Sequence, residues 1–179
     1  MALVVTIGGS PSASSKSAAL LAQVRARLGQ SGTTVEAITV RNLPAEDLLH
    51  ARAAAAGIAE AVDLVLRAQG VVIATPIYKA AYSGILKAFL DLLPPDALAG
   101  KIVLPIATGG TLAHMLAIDY ALRPVLVALG SFHILSGVYL LDSQFSSANG
   151  TVAQLDSSAD ERLIKALALF IQQLPVAQP

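Results

Sequence analysis

Val71-Val72-Ile73-Ala74, running into Thr75-Pro76-Ile77-Tyr78-Lys79-Ala80-Ala81-Tyr82-Ser83-Gly84, is the stretch on which the fold turns. Val71–Ala74 is apolar at every position, with no alternation, as a strand must be when both of its faces are covered. Before it, Ile58, Val62, Val65 and Leu66 recur at helical spacing. After it, Thr75–Gly84 reads as a loop, and a helix carrying Ile85, Phe89 and Leu93 follows. A buried strand framed by two amphipathic helices is one repeat of a parallel α/β sheet.

The same unit recurs in both directions. Toward the N-terminus, Ala2–Ile7 is a short apolar strand ending in Gly8-Gly9-Ser10-Pro11. A helix capped by Ser17 runs to about Gly29, with Leu20, Val24 and Leu28 on one face, and Thr33–Val40 alternates as a second strand. Toward the C-terminus, Ile102–Ala107 is a fourth strand closed by Gly109-Gly110. A long helix spans Leu112–Leu129, a fifth strand lies near Ile134–Leu141, and Ser143–Ser158 reads as a polar loop. The last helix is marked by Leu163, Ile164, Leu167, Phe170, Ile171 and Leu174. Five β-α units predict a flavodoxin-like, doubly wound five-stranded parallel sheet of order 2-1-3-4-5 with helices on both faces. The 179 residues suit a single domain over 1–179.

Composition narrows the function classes. Twelve Lys+Arg balance twelve Asp+Glu, which leaves no basic field for nucleic acid or for an anionic membrane. Cysteine is absent, excluding thiolate nucleophiles, disulfides and cysteine-based metal sites, and His50, His114 and His133 form no ligand pattern, so no metal is expected. Hydrophobic residues reach 55% against 13% charged, a balance that predicts buried subunit contacts and hence a homo-oligomer. Pro124–Leu141, the longest apolar stretch, is broken by Gly130, Ser131, His133 and Gly137 and does not read as a membrane span. No secretory leader is seen at the start, and a cytoplasmic location is expected.

In an open parallel sheet, ligands bind beyond the carboxyl ends of the strands. Three loops there are unusual. Gly8–Ser17 offers five serines, Lys16 and a helix N-terminus, a donor set that suits a phosphate monoester, although the loop lacks the P-loop and G-x-G-x-x-G spacings. A Ser-rich turn that only caps a helix has the same composition. Thr75–Gly84 carries Tyr78 and Tyr82 in a chain that is 4% aromatic; they flank a flat ring, or they serve core and subunit contact. Ala107-Thr108-Gly109-Gly110-Thr111, with His114 beyond it, allows close backbone approach to a planar ligand. A phosphate beside a flat heterocycle describes FMN better than a nucleoside triphosphate.

At these residues the chain resembles the NADPH-dependent FMN reductases, specifically the flavin reductase component of two-component alkanesulfonate monooxygenase systems. The similarity is carried by Gly8-Gly9-Ser10-Pro11, Ala45–Arg52, Ala74–Gly84, Leu104–Gly110, His114 and Asp119–Leu126, and covers residues 1 to about 145. It implies that the FMN phosphate lies on Ser10, Ser12, Ser15, Lys16 and Ser17. The ring would lie along Pro76, Ile77, Tyr78 and Lys79 and along Thr108, Gly109 and Gly110, with His114 nearby. Many members carry an arginine where this chain has Ser12, which leaves Lys16 to supply the charge. By the resemblance Tyr120 corresponds to a tyrosine in a one-residue insertion that forms a π-bulge at a tetramer interface, where it either loosens the flavin or serves only as an aromatic in an oligomer contact; Tyr82 is a second residue assigned to oligomer contact and flavin release.

The resemblance further implies hydride transfer from NADPH to FMN, then delivery of reduced FMN to a flavin-dependent monooxygenase for sulfur acquisition, by a homotetramer or homodimer. Two stacked rings need orientation more than an acid or base, so no catalytic side chain is certain, with Lys79 and His114 as candidates. The alternatives are a quinone or azo reductase that retains FMN, and a flavodoxin-type carrier; the neutral charge argues against the carrier.

Overall fold

The computed structural model describes residues 1–146 and 154–175. Along the chain lie β1 (Leu3–Gly8), α1 (Lys16–Gln30), β2 (Thr34–Thr39), α2 (Ala45–Leu49), α3 (Ala56–Arg67), β3 (Gly70–Tyr78), β4 (Ala81–Tyr82), α4 (Gly84–Leu90) and β5 (Ile102–Gly109). Then come α5 (Arg123–Ala128), β6 (His133–Ile134), β7 (Val138–Leu141), β8 (Phe145–Ser146), β9 (Gln154–Leu155) and α6 (Ser157–Gln173). The sheet runs β2-β1-β3-β5-β6, with β7 also on β5 and all of these pairs parallel. That is the expected 2-1-3-4-5 order with the fifth strand in two pieces.

Period-two alternation sends successive residues of each inner strand to opposite faces. Val5, Val71, Ile73 and Val103 meet Ile58, Leu86, Phe89 and Leu126 from α3, α4 and α5 on one face. Val4, Val72, Ala74, Leu104 and Ile106 meet Leu20, Val24, Leu163 and Phe170 from α1 and α6 on the other. Because both faces are apolar, the inner stretches Val71–Ala74 and Ile102–Ala107 are unbroken hydrophobic runs, and each large side chain so buried contributes about 1.5–3 kcal/mol.

Five details depart from the sequence expectations. The cap of α1 is Ser15, whose Oγ accepts from the Ala18 backbone N–H at 3.1 Å, while Ser17 lies inside the helix. The loop expected over Thr75–Gly84 is largely ordered: β3 continues to Tyr78 and folds back on β4, pairing Ile77 with Tyr82 and Tyr78 with Ala81. The fifth strand is interrupted because Ile102 faces His133 whereas Ile106 faces Val138, so this edge carries one extra residue, a bulge of the kind that blunts sheet edges.

The helix expected over Leu112–Leu129 is a 3-10 turn at Leu112–His114, a π-helical turn at Ile118–Leu122, and then α5. Pro124 has no N–H to donate and its ring crowds the carbonyl four residues back, that of Tyr120, so the ladder is reset there. Tyr120 N–H still bonds the Leu116 carbonyl at 2.9 Å, and the Arg123 N–H bonds five residues back to Ile118. In the expected polar loop, Phe145–Ser146 pairs antiparallel with Gln154–Leu155; residues 147–153 of that loop lie outside the described residues.

Candidate functional site

Sheet register brings the three loops together. Gly8 is level with Ala74, and Pro76 is level with Thr108, so β1, β3 and β5 end side by side at one edge. The first loop is tied to the second in two places. Gly9 N–H donates to the Ala74 carbonyl at 2.8 Å, and the Ser83 hydroxyl donates to the Gly9 carbonyl. Ser83 also caps α4, and its own N–H donates to Thr75 Oγ1 at 3.1 Å. Gly9 leaves no room for a side chain, since a Cβ there would come within 2.8 Å of Leu86 Cβ.

Within the first loop the serines divide into two groups. Ser10 and Ser17 are buried: Ser10 Oγ accepts from the Ser12 N–H at 3.2 Å, and Ser17 Oγ lies 3.3 Å from Ser15 Oγ. Ser12 and Ser14 are exposed, with their hydroxyls 3.2 Å apart. Ser10 and Ser17 are thus turned into the loop, while Ser12 and Ser14 face outward and Lys16 is half-buried. Lys16 Nζ donates to the backbone carbonyl of Asp142 at 2.9 Å.

The second loop is a two-residue hairpin turn. Lys79 (φ 49°) and Ala80 (φ 64°) both lie in the left-handed region, which two-residue hairpins require and which normally selects Asn or Gly. A strained turn built from two ordinary residues is held by its surroundings, and such strain concentrates at functional sites. Tyr78 is half-exposed beside the turn, Lys79 is exposed, and Pro76 is buried. Tyr82 is half-buried on β4; burial is the main cause of its raised pKa, partly offset by Lys87 and reinforced by Asp91.

The third loop has a fixed half and an open half. Thr108 and Gly109 are buried and Gly110 and Thr111 are exposed. Thr111 Oγ1 accepts from the Ala113 N–H at 3.2 Å, starting the turn that ends at the half-buried His114. Tyr139 lies over this loop: its hydroxyl donates to the Thr111 carbonyl at 2.8 Å, and a Cβ on Gly109 would collide with the Tyr139 hydroxyl oxygen. Burial, and then the Asp142 charge, raises the Tyr139 pKa. Sequence reading missed both Tyr139 and Asp142. The available signal was that a fifth parallel strand must also end at this edge.

Outside the cleft, Tyr120 is 79% exposed at the centre of the π-helical turn, and Leu112, Met115, Leu116, Val127 and Phe132 are exposed on the same segment. Exposed apolar side chains thus recur along residues 112–132. Among the described residues no group of three or more His, Cys, Asp or Glu is placed to hold a metal ion, and no helix is long and apolar enough to cross a membrane.

The donor set fits a phosphorylated flat ring: hydroxyls and an ammonium at the helix start that follows β1, and exposed groups at Tyr78 and at Gly110, at the ends of the neighbouring β3 and β5. Residues 2–146 match the family model described as NADPH-dependent FMN reductase. The chain is 53% identical over 169 residues to an FMN reductase (NADPH) of Pseudomonas putida, covering 94% of this chain and 86% of that one. It is 46% identical to an FMN reductase (NADPH) of Escherichia coli, covering 96% and 89%. A solved NADH:FMN oxidoreductase in its apo form superposes with a TM-score of 0.90 at 42% identity, covering 100% of this chain and 92% of that one.

Proposed function

The chain belongs to the NADPH-dependent FMN reductase family and is an oxidoreductase acting on FMN with NADPH; on that premise, we propose that it takes FMN as an exchangeable substrate and passes reduced FMN to a flavin-dependent monooxygenase partner. The observation that supports the flavin site is the register of β1, β3 and β5, which lines up a phosphate-type loop with two loops suited to a flat ring.

In this reading Ser12, Ser15 and Lys16 bind the phosphate, and the buried Ser10 and Ser17 hold their loop in shape. Pro76–Lys79 and Thr108–Gly110 orient the ring, and His114 stands at the cleft margin. Lys79, fixed in the left-handed turn, offers a positive charge to the NADPH phosphates or to the reduced ring. The flavin supplies the hydride acceptor; the protein's part is to stack it against nicotinamide and keep water out.

The apolar surface around Tyr120 forms the contact between copies, in a tetramer or dimer, with Tyr82 close to it. The whole chain acts as one cytoplasmic domain. Service to an alkanesulfonate monooxygenase, for sulfur acquisition, rests on the resemblance carried by Tyr78-Lys79 and Asp119–Pro124.

Steady-state NADPH oxidation by the purified protein, with and without added FMN, tests the reading. Turnover that appears only with added FMN and saturates in it is the expected result. A protein that stays yellow through gel filtration and turns over only with a quinone or azo compound would replace it with the retained-flavin alternative.

A further inference from the structure

The Ser-rich loop contributes one cation, and that cation is already engaged. Lys16 Nζ donates to the Asp142 carbonyl at 2.9 Å and stands 3.7 Å from the Asp142 carboxylate. Asp142 directly follows β7, on the far side of β3 and β5 from the loop that carries Lys16. The same carboxylate also reaches the third loop, since a Cβ on Gly110 would lie 3.9 Å from Asp142 Oδ2. A negative charge thus stands beside both the ammonium of the first loop and the open backbone of the third.

We propose that Asp142 sets flavin affinity by competing with the flavin phosphate for Lys16. The inference rests on the reading that FMN is exchanged through the Ser10–Ser17 loop, and it adds the residue that keeps the exchange easy. In the free protein the carboxylate offsets the Lys16 charge. In the complex it faces a phosphate monoester of charge about −1.5 to −2 across a short gap. Like charges that close oppose binding, and the opposition is moderated by solvent because the two side chains are 40% and 48% exposed. A site meant to keep its flavin gains from an unopposed lysine. A site that must release reduced flavin gains from a carboxylate beside that lysine.

The test is Asp142→Asn in the full chain, with Asp142→Ser as a second variant should the first fold poorly. Dissociation constants for FMN and for riboflavin are read from quenching of flavin fluorescence at low and high salt. The expected result is FMN binding about tenfold tighter at low salt, from the loss of one nearby like charge, with the gain shrinking as salt rises. Riboflavin, which lacks the phosphate, keeps its affinity, and FMN release in stopped flow slows in proportion. Unchanged or weaker FMN binding in both variants, or an equal shift for riboflavin, overturns the role of Asp142 and leaves the flavin site standing. If the wild-type chain binds no FMN, or if Lys16→Met leaves FMN affinity unchanged, the phosphate-loop reading itself falls and the inference falls with it.

Discussion

The Tyr139 hydroxyl donates to the backbone carbonyl of Thr111 at 2.8 Å while occupying the space that a side chain at Gly109 would need. A residue of the edge strand thus fixes the conformation of the loop that follows its neighbour in the sheet. Gly109→Ala forces one of the two groups to move, at a cost of about 2 kcal/mol in urea-unfolding stability, with a several-fold rise in KM for FMN. In a Tyr139→Phe background the nearest ring atom is 3.1 Å away and the alanine is partly accommodated. Equal penalties in the two backgrounds would show that the contact does not control the loop.

Tyr120, 79% exposed, and Phe132, 83% exposed, are the large apolar groups most open to solvent on the π-helical segment and the turn after α5. Tyr120→Ala is expected to weaken self-association in sedimentation velocity while leaving the circular dichroism of the subunit unchanged. An unaltered sedimentation profile would place the subunit contact elsewhere.

Ala80 holds φ 64° with a Cβ that disfavours it. Ala80→Gly is expected to stabilise the protein by about 1 kcal/mol, the penalty of a left-handed non-glycine residue, offset in part by the extra freedom of glycine in the unfolded chain. Lys79→Ala is expected to raise KM for NADPH more than it lowers kcat, because the side chain is an exposed charge that serves binding. A fall in kcat with KM unchanged would assign Lys79 to the chemical step.

Lys101 is buried at the opposite end of the sheet, just before β5, and its Nζ donates to the Leu66 and Ala68 carbonyls at 2.8 Å each, closing the C-terminus of α3. Lys101→Met leaves those carbonyls unpaired and is expected to cost about 2 kcal/mol with no change in KM for FMN. Burial lowers the lysine pKa below 10.5. Between the lowered value and 10.5 the unfolded chain binds more protons, so wild-type stability rises with pH there relative to Lys101→Met. Parallel pH profiles for the two proteins would contradict this.

Asp156 caps α6: its Oδ1 accepts from the Ala159 N–H at 2.7 Å and from the Ser158 hydroxyl at 2.8 Å. These bonds, the Ala159 N–H first, hold its pKa below the ordinary 3.8. The stabilisation is therefore present above pH 3.8 and is lost as the pH falls through the lowered value. Asp156→Ala is expected to lower Tm at neutral pH, with the gap from wild type closing in acid. A gap that persists below the lowered pKa would point to a packing effect.

Much of the fold was legible along the chain because it depends on local pattern. Val71–Ala74 and Ile102–Ala107 are apolar on both faces, and helix-spaced residues separate the strands. Where the expectations departed, the deciding partner was remote in sequence or the irregularity small. The helix over Leu112–Leu129 gave way to a π-helical turn at Ile118–Leu122, just before Pro124, the fifth strand to a one-residue bulge, and the Thr75–Gly84 loop to a hairpin closed by residues without turn propensity.

By itself the sequence determined the β-α order, and hence which loops share one edge, because a parallel sheet with right-handed crossovers leaves few other arrangements. It also determined the donor chemistry of those loops. Only the tertiary structure decided which serines turn inward, that Tyr139 pins the third loop, and that Asp142 meets Lys16. These are contacts between residues as far as 126 positions apart, and no local propensity encodes them. They arise only when register and packing bring separate strand ends within hydrogen-bonding distance.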